Sequence, residues 1–358
     1  MEVKKKFQVP STKYERGRAT GHIRAHLVLG TWYLVALLTF ACLRSNTTGS
    51  HVRLAVGGQN QLVYLPTTLA QQLGFYKDEG LDVDLQDHAG GAKALQALVG
   101  GSADVVSGFY DHTIQMAAEG RELVAFVSML RFPGLVLVVA PGRAADLTKI
   151  EDLKGHVAGV TTAGSSSQMM LTYLLQKHGV PPDSVSVTAI GSAATAVAAM
   201  EHGKVDAAMM ADPACTFLRH RDASARVLAD LRTAAGVKAA FGTDSYPSSV
   251  LYASGGWVRA NRADAGRLAR AIRRTLAWIH AHSAEEIAAK MPKEFRGDDD
   301  ALYAEALKNS MAMFSDDGRM SADGAAAVRG LLAESMDKVR GTSIDLSKTY
   351  TNEFIDGR

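Results

Sequence analysis

The sequence predicts an α/β protein with two similar lobes and a mostly helical C-terminal part. Three observations carry this. Short apolar strands alternate with helical patterns from Val52 to about Met210, the order that builds parallel sheets with crossover helices. One pattern occurs twice, as Leu98-Val-Gly-Gly-Ser-Ala-Asp104-Val-Val106 and, 102 residues later, as Met200-Glu-His-Gly-Lys-Val-Asp206-Ala-Ala208. From Asn261 onward the strand signals stop and amphipathic helices follow.

In chain order, Val52–Val56 is a strand and Gly57-Gly58-Gln59-Asn60 the turn after it. Pro66 opens a helix lined by Leu65, Leu69 and Leu73 and closed by Gly74. Leu81-Asp-Val-Asp-Leu85 alternates strictly, which marks a strand. A helix over 92–99, a strand over 103–108 and two more strands, 123–129 and 135–139, complete the first half. Thr148-Lys-Ile-Glu151 has the form of a capping box. Next comes the stretch on which the rest is organised: a strand over 157–161, a small-residue loop over 161–167, and a helix from about Ser165 to His178. A strand at 185–187, a helix over 193–200 and a strand over 205–210 follow. In the C-terminal part Leu268, Ile272, Leu276 and Ile279 share one helix face, Ser283-Ala-Glu-Glu286 caps the next helix, and helices are expected near 300–314 and 322–340. His280 and His282 are two apart and do not face one way; they read as surface residues.

The net charge of +2 belongs to the N-terminus. Residues 1–50 hold eight Lys/Arg and two Glu; the remainder keeps 31 basic and 35 acidic residues, about −4, which is no footprint for nucleic acid. The leader has a basic segment up to Arg24, an apolar run from Leu27 to Leu43, and Thr39-Phe-Ala41 ahead of polar Ser45–Ser50. It reads as an export signal, either cleaved, retained as an anchor, or lipid-modified at Cys42. Two cysteines, Cys42 and Cys215, exclude a four-thiol metal site, and removal of the leader would leave Cys215 alone. Gly-x-Ser-x-Gly, His-Glu-x-x-His, Gly-x-Gly-x-x-Gly and Walker motifs are absent, so no catalytic residue, metal site or cofactor is expected.

Two α/β lobes facing each other make a cleft beyond the carboxyl ends of their strands. Its expected walls are Gln59-Asn60, Ser107–His112, Thr161–Gln168 and Asp212-Pro213. Thr161, Gly164, Ser165 and Ser166 offer hydroxyls and free amides at a helix start, where partial positive charge favours an anion or a polarised oxygen; the alternative is that a serine only caps the helix. Gln59, Asn60 and Tyr64 either bind a ligand or form a solvated turn. Ser107 and Gly108 end the third strand, where small residues let a ligand approach the backbone. Tyr110 stacks on a ligand or packs in the core. Asp111 reads as the N-cap of a helix over 113–119, and Asp104 and Asp206 as anchors of turns at strand starts.

Tyr64-Leu-Pro66, Gly74-Phe-Tyr-Lys-Asp-Glu-Gly-Leu-Asp-Val83, Gly101-Ser-Ala-Asp104, Asp152-Leu-Lys-Gly155, Gly159-Val-Thr-Thr-Ala-Gly-Ser165, Gly203-Lys-Val-Asp206, Asp212-Pro213, Tyr246-Pro247 and Trp257–Asn261 follow one another in this order. Together they resemble the substrate-binding proteins of ABC importers for nitrate, taurine, sulfonates and thiamine-pyrimidine precursors, the NMT1/THI5-like group. The resemblance covers roughly residues 51–290. It implies a two-lobe periplasmic-binding fold of type II, with two crossing strands, lobe I as 51–139 plus 249–358 and lobe II as 140–248. It also implies a monomer outside the cytoplasmic membrane that closes on a small-molecule ligand, a sulfonate, nitrate, taurine-like or pyrimidine-like solute, and docks on an ABC permease. Asp212 corresponds to the acidic residue before proline that the family often has at its cleft. Two enzyme groups share the fold. The eukaryotic pyrimidine synthases carry a cysteine-rich motif absent here, and the menaquinone-pathway enzymes need no leader. A sensing domain that feeds a membrane receptor is the remaining alternative.

Overall fold

The computed structural model describes residues 49–356; the leader, with Cys42, lies outside the described residues. Ten strands form two five-stranded sheets. β1 (Ser50–Val56), β2 (Leu81–Asp87), β3 (Val105–Phe109), β4 (Leu123–Ser128) and β10 (Ser249–Ser254) make the first, in the order β2-β1-β3-β10-β4. β5 (Leu135–Val139), β6 (Val157–Val160), β7 (Ser186–Ala189), β8 (Ala207–Ala211) and β9 (Val227–Asp230) make the second, in the order β7-β6-β8-β5-β9. In each sheet four strands run the same way, and the fourth in spatial order runs antiparallel to both its neighbours. The central strands are apolar and fully buried, as helices on both faces require, whereas all four residues of the edge strand β7 are exposed.

The repeat seen in the sequence is a repeat of topology: β1, β2, β3 and β4 occupy the same places as β6, β7, β8 and β9. Asp104 and Asp206 do the same work in both copies. Asp104 accepts from the backbone N–H of Arg53 at 2.9 Å, and Asp206 from that of Val157 at 2.9 Å, so each carboxylate ties the start of a third strand to the start of a first.

The reversed strands come from the other half of the chain. β5, expected in lobe I, pairs with β8 and β9 in the second sheet, while β10 enters the first sheet between β3 and β4. A uniformly apolar run such as Leu135-Val-Leu-Val-Val139 carries no mark of the sheet it joins. The C-terminal helices also reach further than expected. The helix Arg262–Ala281 buries Leu268, Ile272, Leu276 and Ile279 beside the first sheet. The helix Asp300–Ser310 packs on the helix Ala214–Arg221, and the helix Ala322–Ser335 on the helix Ser166–Lys177, both attached to the second sheet. The expected helix over 322–340 is two, broken at Met336. At 148–151 the acceptor is Asp152 rather than Glu151: its Oδ2 takes the N–H groups of Thr148 and Lys149 and the Thr148 hydroxyl, and the turn is 3-10.

Candidate functional site

A cleft lies where the loop after β1, the loop after β2 and the loop after β6 meet. From the first sheet come Gly57, Gln61, Tyr64, Gly91 and Phe109; from the second come Leu135, Thr161 and Ser165–Ser167. The space between them measures about 270 Å³ with its mouth, but the centre of a water-sized sphere moves through only about 20 Å³ of it. The walls are therefore nearly in contact, and cargo larger than one or two waters enters only when they part. Two helices begin at this space, Gly91–Val99 and Ser166–Lys177, and the first amides of each lack intrahelical partners.

The second wall is built from hydroxyls. The Ser165 Oγ–H donates to the Thr162 carbonyl at 2.7 Å. The oxygens of Thr161, Ser165 and Ser167 form a triangle with sides of 2.8, 3.0 and 2.9 Å. Ser165 is the N-cap residue by position, but its side chain makes no cap bond; it is spent on the loop. Gly164, at φ +77°, turns that loop in a conformation glycine alone adopts without strain, and its N–H donates to Gln168 Oε1 at 2.8 Å. Ser166 faces the other way: its hydroxyl donates across the cleft to Asp111 Oδ1 at 2.8 Å.

Asp111 is not an N-cap. It lies inside the first turn of the helix Asp111–Ala118, is 1% exposed, and its Oδ2 has no partner among the described residues. Burial pushes its carboxyl above the usual range, against the lowering influence of His112 and the Ser166 bond. Tyr64 lines the cleft near it, stacked edge-to-face on Phe109 at 6.0 Å; burial and the Asp111 charge both raise its hydroxyl. Gly57 and Gly91 close in on that hydroxyl: a Cβ at Gly57 would stand 2.9 Å from it and 2.9 Å from the Gly91 backbone.

Of the expected site residues, Tyr64, Thr161, Ser165 and Ser166 line the cleft. Gln59, Asn60 and Gly164 stand at its edges. Gln59 Oε1 accepts from Thr68 at 3.2 Å, and Asn60 Oδ1 accepts from Ser192, on the second sheet's side, at 2.9 Å. Four others sit elsewhere. Ser107 is buried against Thr67 Oγ1 at 2.7 Å. Gly108 makes room for a side chain, since a Cβ there would meet the Tyr252 ring at 2.9 Å. Tyr110 packs in the core, with its hydroxyl 2.5 Å from Thr349 Oγ1 and its ring edge-on to Tyr350. The Asp212 carboxylate is enclosed by protein donors: Oδ1 accepts from the N–H and hydroxyl of Thr216, Oδ2 from Arg232 at 2.7 Å and Ser310 at 2.9 Å. Asp111 and Thr162 fall within the expected walls 107–112 and 161–168, whereas the Gly90-Gly91 pair and Gln61 lie outside every expected wall. The glycine pair after an alternating strand and before a helix was the available signal.

The family model described as NMT1/THI5 like matches residues 61–286. The binding protein YtlA of Bacillus subtilis (strain 168) is 24% identical over 244 residues, 66% of this chain and 68% of YtlA. A 4-amino-5-hydroxymethyl-2-methylpyrimidine phosphate synthase of Schizosaccharomyces pombe is 27% identical over 143 residues, 40% of each chain. Among solved structures, a Bordetella bronchiseptica RB50 protein superposes with a TM-score of 0.83 at 39% identity, covering 86% of this chain and 96% of that one. The alkanesulfonate-binding protein SsuA from Xanthomonas axonopodis pv. citri, bound to MOPS, superposes with a TM-score of 0.66 at 18% identity, covering 85% and 98%. With two five-stranded sheets exchanging one strand each and a cleft between them, this chain has the periplasmic-binding-protein fold and belongs to the NMT1/THI5-like family.

Proposed function

We propose that the chain is the extracytoplasmic solute-binding component of an ABC importer. It would capture a small polar molecule between its sheets and deliver it to a membrane permease. The observation that carries this is the cleft itself: two helix starts, a hydroxyl wall and a buried carboxyl converge on one narrow space between two bodies. Its walls are latched by bonds that cross it: Ser166 to Asp111, Ser192 to Asn60, and the Leu62 N–H to the Asp212 carbonyl at 2.8 Å. Such bonds suit a hinge closure about β5 and β10. Given the pairing of β5, we place lobe I at 51–131 plus 249–358 and lobe II at 132–248.

Cys215 does not line the cleft; it is fully buried, and burial with the nearby Asp212 pushes its thiol up to about 12. The relatives named as binding proteins and as a sulfonate-binding protein support the importer reading.

The test is a thermal-shift screen of the full chain against nitrate, taurine, alkyl and aryl sulfonates and aminopyrimidines. A ligand at a hundred times its Kd adds about 2.7 kcal/mol of stability. A shift of several degrees that Ser165→Trp abolishes, in a variant that still folds, is the expected result. No shift in protein shown to be free of copurified ligand would remove the reading.

A further inference from the structure

The cleft carries a chemical bias that its serines conceal. A row of hydroxyls at a helix start suggests an anion site, but the hydrogens of Thr161, Ser165, Ser166 and Ser167 each have an acceptor within the protein. The Ser165 proton goes to the Thr162 carbonyl and the Ser166 proton to Asp111. Those of Thr161 and Ser167 have each other and Ser165 within 3.0 Å, and Ser167 Oγ already accepts the Thr161 N–H at 3.1 Å. What these four turn toward the cleft is lone pairs. The Thr162 hydroxyl has no partner among the described residues and is free to donate or accept, and Asp111 Oδ2 has none either.

No lysine or arginine lines the space, and none acts on Asp111. The groups that face this carboxyl are the Ser166 hydroxyl, the His112 imidazole and the hydroxyls of Tyr64, Tyr246 and Tyr252. A carboxylate taken out of water with half its acceptors unmet is costly unless a donor or a cation arrives to meet it. Against this stand the amides at the start of the helix Ser166–Lys177, with the half charge of a helix end. When ionised, Asp111 puts a whole charge one hydrogen bond behind the wall, and that outweighs the half charge.

We propose that Asp111 sets the charge of the cargo: the cleft takes a cationic or neutral molecule that brings N–H donors to the Asp111–Ser166 pair, and turns away nitrate, sulfonates and carboxylates. This rests on the solute-binding reading above, and it makes Asp111 a specificity-determining residue. An anion could bind only with Asp111 protonated.

The test uses probes of one size and different charge, benzamidine, 4-aminopyrimidine, benzoate and benzenesulfonate, with nitrate and methylammonium as a smaller pair. Affinities are measured by titration calorimetry on the full chain and its Asp111→Asn and Ser166→Ala variants, each checked for a folded melting transition. The expected result is binding of N–H-bearing probes only, weakened at least tenfold by Asp111→Asn and less by Ser166→Ala. Anion binding by the wild type that Asp111→Asn leaves unchanged or weakens would overturn the inference and leave the solute-binding reading standing. So would binding of the N–H-bearing probes that Asp111→Asn leaves unchanged. Silence from every probe in ligand-free protein counts against both.

Discussion

Asp111 and Asp212 hold matching places in the two halves of the molecule. Each follows the central strand of its sheet by one or two residues, and each is 1% exposed. Around Asp212 the protein has supplied a guanidinium, two hydroxyls and an amide. Around Asp111 it has supplied one hydroxyl and left an oxygen without a partner. The difference teaches what burial alone cannot. A buried carboxylate whose acceptors are all met is an element of structure; one left half-met is directed at something that comes and goes.

The sharpest way to break the comparison is to remove the cation. Arg232→Met strands the Asp212 charge in the interior, and breaking a buried pair from one side costs about 3–5 kcal/mol. The melting point should fall by about 6–20 °C, at roughly 2–4 °C per kcal/mol. A drop below about 2 °C in calorimetry would mean that Asp212 is no better satisfied than Asp111.

Ser166→Ala takes from Asp111 its one hydroxyl donor. Leaving a buried acceptor unmet costs about 1–3 kcal/mol, read by urea denaturation of the ligand-free protein. Asp111→Asn has the opposite sign. The folded pKa of Asp111 is raised, so the carboxyl favours the fold below its unfolded pKa and loses that contribution as pH rises through the folded value. The variant should match the wild type at acid pH and exceed it by a margin that grows as pH rises. A gap that shrinks as pH rises would contradict the assignment. The smallest effect belongs to Ser310→Ala, which removes one of several donors to Asp212, about 0.5–1.5 kcal/mol. Because Ser310 ties a C-terminal helix to the second sheet, stopped-flow measurement should also show faster ligand release.

Much of the fold was legible because it is locally written. The alternation of Leu81–Leu85, the repeated Gly-x-x-Asp before strands β3 and β8, and the capping box at Ser283 each carry a period or spacing that one backbone form satisfies. Partnership was not legible. Leu135–Val139 is a strand by composition, but which sheet it joins is decided by residues 68 or more positions away. The edge strand β9, which pairs only with β5, gave no pattern of its own. The same limit applies at the site. The loop after β6 was readable from its small residues, whereas Asp111 looked like a cap because a cap is what an acid before Thr113 ordinarily makes; the packing of Ser166 against it decided otherwise.

The exchange of β5 and β10 also sets a clock. The first sheet has β4 by Ser128 but cannot join it to β3 until β10 begins at Ser249, 121 residues later. At synthesis rates of roughly 5–20 residues per second, that interval is about 6–24 s. During it β3 and β4 each present an edge with nothing to pair to. The native order of the first sheet can therefore be completed only after about two thirds of the chain has been made, when β10 is available to separate β3 from β4.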